Sequence, residues 1–327
     1  GSVGRPDLVG AKGFTAQEMA SDLYDSLWNQ LMSLPDHVEV YPAHGAGSAC
    51  GTRISDKNVS TIGEQRNENF ALQLKDKNTF IDIITTDLPE TPVYFPMNAA
   101  MNKEGAQPLE DVPMPDALSP QQVDDLRKDE NVIVMDVREP KSFGTAHIPG
   151  SFNNPLGGRY ANWAGSFLTG EKKVIIVAEG LDELEEAVLR LARVGLHNAI
   201  GYLAFGIQAW DKAGKSLASL PMIDAMALRE ELQAVPGKYQ LLDVRRPGEY
   251  DGGHVDGAIN AALDDIFNTN QGIECHKPTV VLCRSGQRSS TAASLLMQMG
   301  HTNLINLDGG YNAWSAMGGE LVMPSAS

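Results

Sequence analysis

The sequence is short of cysteine and of long apolar runs, and each shortage excludes a class of protein. Three cysteines in 327 residues, an odd number spread along the chain, do not make a disulfide framework. No stretch approaches the roughly 20 apolar residues of a membrane span, and the first residues lack the apolar core of a signal peptide. We therefore expect a cytoplasmic protein in a reducing compartment, with no membrane partner.

Basic residues are scarce as well. The 26 Lys and Arg stand against 42 Asp and Glu, which gives a net charge of −16 at pH 7. A surface of this sign repels nucleic acid and anionic membranes, so neither is expected as a partner. An anionic substrate must instead be drawn in by a local site. The length predicts two or three domains of ordinary globular composition.

One cysteine stands where chemistry is expected. The apolar run 279–282 predicts a strand, Cys283 begins the loop Cys-Arg-Ser-Gly-Gln-Arg at 283–288 (the cysteine loop), and 289–299 has a helical pattern. A helix N-terminus offers free N–H groups and a positive dipole end to the sulfur, which favours a thiolate and binds anions. A buried core cysteine is the alternative. Two arginines and a glycine in the loop argue against it.

A domain-sized repeat underlies the second half of the chain. Residues 136–156 and 243–263 align without gaps at an offset of 107 residues. Both copies alternate β-branched runs with amphipathic helices, which predicts a parallel sheet flanked by helices. The identical pairs include Asp136 and Asp243, Arg138 and Arg245, Pro140 and Pro247, His147 and His254, Gly150 and Gly257, and Asn153 and Asn260.

The two copies are not chemically equivalent. Ala178 stands in the first copy where Cys283 stands in the second, and residues 179–186 hold five carboxylates in place of the loop arginines. Alanine provides no nucleophile, and the carboxylates repel an anion at contact range. We therefore expect chemistry in the second copy only. The first copy is expected to have a structural or interface role, with an unrecognised binding role as the alternative.

Four motifs of the second copy resemble those of the rhodanese family. They are Leu-Asp-Val-Arg-Arg-Pro-Gly-Glu-Tyr at 242–250, Gly-His-Val-Asp-Gly-Ala-Ile-Asn at 253–260, the cysteine loop, and Leu-Asp-Gly-Gly-Tyr-Asn-Ala-Trp at 307–314. The first copy is similar to an inactive rhodanese-like domain. The resemblance implies an α/β fold with tandem rhodanese-like domains, the inactive one at 119–219 and the active one at 220–327.

The resemblance also implies a reaction. In that family the cysteine accepts a sulfane sulfur as a persulfide and passes it to a nucleophile, so Cys283 is the expected catalytic residue. Thiosulfate, sulfite and the persulfides of glutathione or coenzyme A are the expected small-molecule partners. The loop amides should cradle the sulfur, the two arginines should hold the anionic donor, and the glycine should relieve crowding. The expected substrate-binding residues are Arg284, Ser285, Gly286, Gln287, Arg288 and Ser289.

Other marked residues are expected to be structural. Asp243, Arg245 and Glu249 should form an ion pair and a turn beside the cysteine loop. His147 and His254 occur in both copies, including the one without a nucleophile, so a scaffold role is favoured over catalysis. A resolving role for Cys275 is conceivable, but eight residues of separation do not place it near Cys283, and we expect it to be inert.

Residues 1–102 have the pattern of part of a different α/β domain. Capping boxes at Thr15-Ala-Gln-Glu and Thr61-Ile-Gly-Glu begin two helices, the second running to about residue 74. The segments 3–8, 41–45 and 60–67 resemble the C-terminal part of a metallo-β-lactamase-fold hydrolase or persulfide dioxygenase. That family's His-x-His-x-Asp-His segment is missing, and His44 alone cannot hold iron or zinc. Residues 103–118 are expected to be a linker.

The resemblances lead to one main hypothesis and two alternatives. We expect a sulfurtransferase, derived from a persulfide dioxygenase–rhodanese fusion of sulfide detoxification, with no cofactor or metal site in this chain and no dioxygenase activity. Iron is expected only with the missing N-terminal half, which the leading Gly-Ser suggests was removed, and exposed apolar edges should mark its absence. The alternatives are a non-catalytic interaction scaffold and an arsenate or phosphate enzyme. Cys-x4-Arg disfavours the latter, whose wider loop resembles Cys-x5-Arg. Self-association into a homo-oligomer is compatible with the sequence.

Overall fold

The computed structural model describes residues 3–8, 13–43, 57–86, 88, 94–105, 108, 111–168, 172–268 and 272–323. His44 and Cys50 lie outside the described residues. The chain divides into two compact units, Gly1–Ala99 and Ala100–Ser327, and the second unit holds both copies of the repeat. Within the described residues, no helix has both the length and the apolar character needed to cross a membrane.

The first unit is built mainly from helices. Both predicted capping boxes are present, with Thr15 and Thr61 each accepting a hydrogen bond from the N–H of the glutamate three residues later. The elements are α1 Ala16–Asn29, β1 Glu39–Val40, β2 Ser60–Thr61, α2 Ile62–Glu68 and α3 Lys77–Thr85, with β1 and β2 antiparallel.

The core of this unit lies between α1 and α3. The Tyr24 ring meets the Phe80 ring edge-on at 5.4 Å, and Leu27 and Ile84 are buried beside them. The prediction that the helix starting after Thr61 runs to about residue 74 is wrong. Helix α2 ends at Glu68, because the Asn69 side chain accepts a hydrogen bond from the N–H of Ala71 and starts a separate 3-10 turn. Some large apolar side chains are exposed, among them Phe14, Leu31 and Tyr41.

The first copy forms a five-stranded parallel sheet with helices on its faces. A further helix, α4 Phe95–Glu104, precedes this copy. The strand order of the sheet is β3-β7-β6-β4-β5. The elements are β3 Asp116–Leu118, α5 Pro120–Leu126, β4 Val132–Asp136, α6 Pro140–Thr145, β5 Phe152–Asn153, α7 Tyr160–Phe167, β6 Lys173–Val177, α8 Leu181–Ala192, β7 Ala199–Leu203 and α9 Gly206–Lys212. Strand β3 lies at the end of the stretch predicted as a linker and pairs with β7, so this sheet begins before residue 119.

The second copy repeats the same strand order, as β11-β9-β12-β13-β8. Its elements are β8 Met222–Ile223, α10 Ala225–Ala234, β9 Gln240–Asp243, α11 Pro247–Asp251, β10 His254–Val255, β11 Ala258–Asn260, β12 Thr279–Leu282, α12 Gln287–Gln298, β13 Leu304–Leu307, α13 Gly310–Ala316 and β14 Leu321–Val322. The central strand β12 is fully buried. The predicted α/β architecture with parallel sheets is confirmed in both copies.

The repeated Asp-Val-Arg motif braces each sheet. In the first copy Arg138 pairs with Asp136 at 2.6 Å, and in the second copy Arg245 pairs with Asp243 at the same distance. All four side chains are buried. Since a copy without a nucleophile builds the identical pair, its role in this fold is structural.

The repeated histidines are part of the same scaffold. His147 stacks on Phe143 with ring centroids 3.8 Å apart, and its Nδ1–H donates to the Phe143 carbonyl. His254 stacks on Tyr250 in the same way, with centroids 3.7 Å apart. Each imidazole is hydrogen-bonded to a carbonyl of the short helix that precedes it and so holds that helix to the following segment. This agrees with the predicted scaffold role.

Candidate active site

The candidate site lies at the carboxyl end of the central strand of the second copy. Cys283 directly follows β12, and α12 begins at Gln287, two residues before the predicted start. Gly286 between them has a φ of 98°, a left-handed conformation that glycine adopts without strain. Its N–H points at the Cys283 Sγ from 3.2 Å. The sulfur therefore has a backbone donor held on it by a tight turn.

Hydrogen bonds from α13 fix the cysteine loop from outside. The Cys283 carbonyl accepts from the N–H of Tyr311 at 2.7 Å, and the Arg284 carbonyl accepts from Asn312 at 3.0 Å. In a trans peptide the C=O and the following N–H point in opposite directions. Anchoring these carbonyls on α13 therefore turns the N–H groups of Arg284 and Ser285 away from that helix, so the amides are oriented before any substrate arrives.

This anchoring requires glycine at the start of α13. A Cβ placed on Gly310 would lie 2.3 Å from the Cys283 carbonyl oxygen and 2.9 Å from the Arg284 carbonyl carbon. Contacts this short do not occur, so any side chain at this position would displace the cysteine loop. The positive φ of 55° disfavours other residues as well.

Asn306, which the sequence analysis does not identify, holds the loop from beneath. Its Nδ2 donates to the Gly286 carbonyl at 3.1 Å, and its Oδ1 accepts from the Ser289 hydroxyl at 2.6 Å. The Ser289 oxygen in turn lies 3.5 Å from the Cys283 sulfur. The sequence feature that could have identified Asn306 is that it is a polar residue in the otherwise apolar strand β13. Ser289 has a single hydroxyl proton, and here Asn306 takes it rather than the sulfur.

The ion pair beside the loop differs from the expected one. Arg288 makes two hydrogen bonds to the Glu249 carboxylate, at 2.7 and 2.9 Å, so Glu249 is not part of the Asp243–Arg245 pair. Burial alone raises the pKa of Glu249, but Arg288 outweighs it and lowers that pKa to about 2. Arg288 was expected to hold the anionic donor. Its charge is instead largely engaged in joining α11 to the cysteine loop.

The remaining loop side chains point in different directions. Arg284 and Ser285 are exposed, which leaves them able to meet a substrate. The Gln287 side-chain amide packs against Gly157 of the first copy: a Cβ placed on Gly157 would lie 2.2 Å from the Gln287 Nε2. Gln287 was expected to bind the substrate, but its side chain is placed against the neighbouring copy and not on the sulfur.

Cys283 is more enclosed than a reactive thiol usually is, with only 1% of its surface exposed. The Gly286 N–H, 3.2 Å away, nevertheless gives the sulfur the kind of donor that stabilises an anion. Burial lowers the pKa of the neighbouring Arg288 guanidinium, but its hydrogen bonds to Glu249 outweigh burial and raise that pKa above the ordinary value, so Arg288 stays cationic beside the sulfur.

The corresponding loop of the first copy is already filled by its own carboxylate. Glu183, at the position of Arg288, accepts the Glu179 N–H at 2.9 Å. Glu179, at the position of Arg284, lies 3.8 Å from the Arg138 guanidinium. Ala178 stands in place of the cysteine, so this loop has no nucleophile. The Glu183 carboxylate occupies the loop amide and the Glu179 carboxylate faces Arg138, so neither group is left free for an external anion.

Two other kinds of side chain bear on the chemistry of the described residues, the potential metal ligands and the second described cysteine, Cys275. Across those residues, no three His, Cys, Asp or Glu side chains are grouped so as to hold a metal ion. Cys275 is exposed, and its sulfur lies 3.8 Å from the Nε2 of His301. That Cys275 is inert stays a prediction.

Comparison with known proteins defines the class. The family model described as "Rhodanese-like domain" matches residues 119–213 and 227–317, and the chain belongs to this family. It is 40% identical over 85 residues to the uncharacterized protein YqhL of Bacillus subtilis, covering 26% of this chain and 68% of YqhL. It is 33% identical over 75 residues to the thiosulfate sulfurtransferase GlpE of Shewanella oneidensis, covering 23% of this chain and 74% of GlpE.

A solved structure gives a second relationship, at the level of the fold. The crystal structure of a metallo-beta-lactamase from Staphylococcus aureus subsp. aureus COL matches with a TM-score of 0.51 and 24% identity. The match covers 61% of this chain, more than residues 1–118 could supply, so it extends into the rhodanese-like copies. It covers 54% of the other chain, so this chain spans about half of that protein.

Proposed function

We propose that this protein is a sulfurtransferase that carries sulfane sulfur as a persulfide on Cys283. The observation that supports this most directly is the 3.2 Å approach of the Gly286 N–H to the Cys283 sulfur, in a loop anchored from α13 and Asn306. Membership of the rhodanese-like family and the similarity to a thiosulfate sulfurtransferase add support from outside the structure.

The reaction has two balanced half-steps. The Cys283 thiolate attacks the outer sulfur of thiosulfate; a new S–S bond forms on the enzyme while the S–S bond of thiosulfate breaks, and sulfite leaves with the bonding electrons. A nucleophile, such as sulfite, cyanide or a thiolate, then attacks the outer sulfur of the persulfide. The enzyme S–S bond breaks and Cys283 recovers its electron pair.

The cysteine loop suits the charge changes of both steps. The terminal sulfur of a persulfide carries the negative charge one bond further out than the thiolate does, and the oriented N–H groups of the loop are the donors nearest to it. The exposed Arg284 is the cation available to a donor arriving from solvent. These local groups are needed because the net charge of −16 repels anionic donors at longer range.

We further propose that the protein operates in the cytoplasm, in sulfide detoxification, as the transfer part of a persulfide dioxygenase–rhodanese fusion. The metallo-beta-lactamase match and the N-terminal motifs support this setting. Glutathione and coenzyme A persulfides are then donors to be compared with thiosulfate. Iron and dioxygenase activity are not expected from the residues at hand, since the family's metal motif is not among them.

The test is sulfur transfer from thiosulfate to cyanide, measured as thiocyanate. Cys283→Ser should abolish transfer because serine cannot form a persulfide, while Cys275→Ser, the matched control at an exposed cysteine, should retain it. If the Cys283→Ser protein still transferred sulfur, Cys283 would not be the nucleophile and the proposal would be wrong. A wild-type protein that transfers no sulfur from any donor would favour the scaffold alternative.

A further inference from the structure

The helix that follows the cysteine loop is buried on all sides. Residues 289–296 of α12 have no exposed member, although four of them are serine or threonine: Ser289, Ser290, Thr291 and Ser294. Its own sheet covers one side, and β5 of the first copy contacts another. Small hydroxyl side chains in a dry interface need hydrogen-bond partners, and the partners show what the contact does.

Three hydrogen bonds tie α12 to the first copy. The Ser290 hydroxyl donates to Asn153 Oδ1 at 2.5 Å, and the Asn153 N–H donates to the Ser294 oxygen at 2.9 Å. Further along, the Gln298 amide donates to the Gly150 carbonyl at 2.9 Å. The spacing follows one face of the helix, so the first copy holds it along most of its length.

Asn153 is itself held rigidly within the first copy. Its Nδ2 donates to the carbonyls of Asp136 and Arg138, both at 3.0 Å. These residues form the buried ion pair that braces the first sheet. A stiff element of one copy therefore sets the position of the helix that carries the cysteine loop of the other.

A second contact reaches the cysteine loop directly. Gln287, the neighbour of Gly286, lies so close to Gly157 that an added Cβ would meet its Nε2 at 2.2 Å. The strip of chain around Gly157 is fixed by Arg190, whose guanidinium donates to the carbonyls of Leu156 at 2.5 Å and Gly158 at 3.2 Å. The space that Gln287 occupies is therefore defined by the first copy.

The corresponding helix of the first copy is not made for such a contact. At the positions of Ser290 and Ser294, α8 carries Glu185, which is exposed, and Leu189. The buried hydroxyl face thus belongs only to the copy that has a nucleophile. From this asymmetry we infer that the first copy, which has no nucleophile, positions the cysteine loop of the second through Asn153 on Ser290 and through Gly157 on Gln287. This inference rests on the proposed function and adds positioning residues to it.

The test is a double-mutant cycle across the copies. Gly157→Ala adds one methyl group at a position without a positive φ, and the three atoms nearest to that methyl all belong to Gln287. We expect kcat for thiosulfate–cyanide transfer to fall about tenfold, with a smaller change in KM. The displaced Gln287 adjoins Gly286, whose N–H faces the sulfur, and misplacement of catalytic groups by about 1 Å can cost about a hundredfold. Gln287→Ala removes the obstructed group, so the double variant should be no slower than Gln287→Ala alone.

Two further variants complete the experiment. Gly180→Ala is the matched control, since Gly180 lies in the same copy with open space around its added Cβ, and it should transfer sulfur at the wild-type rate. Ser290→Ala should also lower kcat, by about threefold, since it removes one hydrogen bond to Asn153 while keeping a good helix former. Thermal unfolding checks that each variant remains folded.

Amide hydrogen exchange gives a readout that needs no turnover. In Gly157→Ala and Ser290→Ala, the amides of residues 284–288 should exchange faster than in the wild type, while those of 179–183 should not change. The inference is overturned if both variants keep wild-type kcat and wild-type exchange, or if the Gly157→Ala loss persists in full in the double variant. A wild-type protein without transfer activity would defeat the proposed function while the exchange comparison still decided the positioning role.

Discussion

Asn306→Ala tests whether the cysteine loop depends on its buried support. The substitution removes the donor to the Gly286 carbonyl and the acceptor for the Ser289 hydroxyl. Neither group loses every partner. The carbonyl keeps the N–H of Ser290 at 3.3 Å, and the hydroxyl can turn to the Cys283 sulfur 3.5 Å away. The expected cost is therefore that of two lost hydrogen bonds, about 1–3 kcal/mol of unfolding free energy.

The kinetic effect should exceed what the stability loss explains. Without Asn306 the carbonyl of the Gly286–Gln287 peptide keeps only the longer hydrogen bond from Ser290. This loosens Gly286, whose own N–H lies 3.2 Å from the sulfur. We expect persulfide formation to slow about tenfold, corresponding to one weakened hydrogen bond to a charged group.

The assay is single-turnover sulfite release from thiosulfate, followed at a temperature where the variant is fully folded by circular dichroism. Asn131→Ala, at an exposed asparagine of the first copy, is the control and should match the wild type. Wild-type rates in a folded Asn306→Ala protein would show that the loop is positioned without this residue, and the reasoning would be wrong.

Two further predictions concern charge at the two loops. Glu249→Gln should cost about 1–2 kcal/mol of stability at pH 7, a value reduced for solvent screening, because its guanidinium partner loses an ion pair. The pKa of Glu249 is lowered from 4.5 to about 2, so the pair stabilises the wild type above pH 4.5 and is lost as the pH falls towards 2; urea unfolding should show the variant's deficit shrinking over that window, and a constant deficit would contradict the assignment. Ala178→Cys, made in the Cys283→Ser background, should gain no persulfide because Glu183 already occupies the loop amide; mass spectrometry checks this, and sulfur on the new cysteine would refute it.

Local features of the structure were predictable from the sequence. The capping boxes at Thr15 and Thr61 form as predicted because their hydrogen bonds join residues three apart and depend little on the rest of the fold. The Asp243–Arg245 ion pair likewise forms as predicted, because it spans only two residues, and its repeat partner Asp136–Arg138 forms the same pair. The strand, cysteine and glycine-containing loop before α12 were recognisable for the same reason.

Features that depend on distant residues were not predictable. Serine on a helix normally indicates an exposed face, and nothing near Ser290 in sequence shows that Asn153, 137 residues away, will bury it. The partner of Arg288 is 39 residues distant, and a list of charged residues cannot tell Glu249 from the other carboxylates nearby. Asn306 was overlooked because a single polar residue in an apolar strand gives no clue to the carbonyl it will hold.

The most direct measurement is mass spectrometry of the peptides that contain Cys283 and Cys275 after exposure of the native protein to thiosulfate. The structure predicts that the Cys283 peptide gains one sulfur atom, that cyanide removes it, and that the exposed Cys275 peptide is unchanged. A folded protein whose Cys283 never gains sulfur, or in which Cys275 alone gains it, would contradict the assignment of the cysteine loop as a sulfur-transfer site.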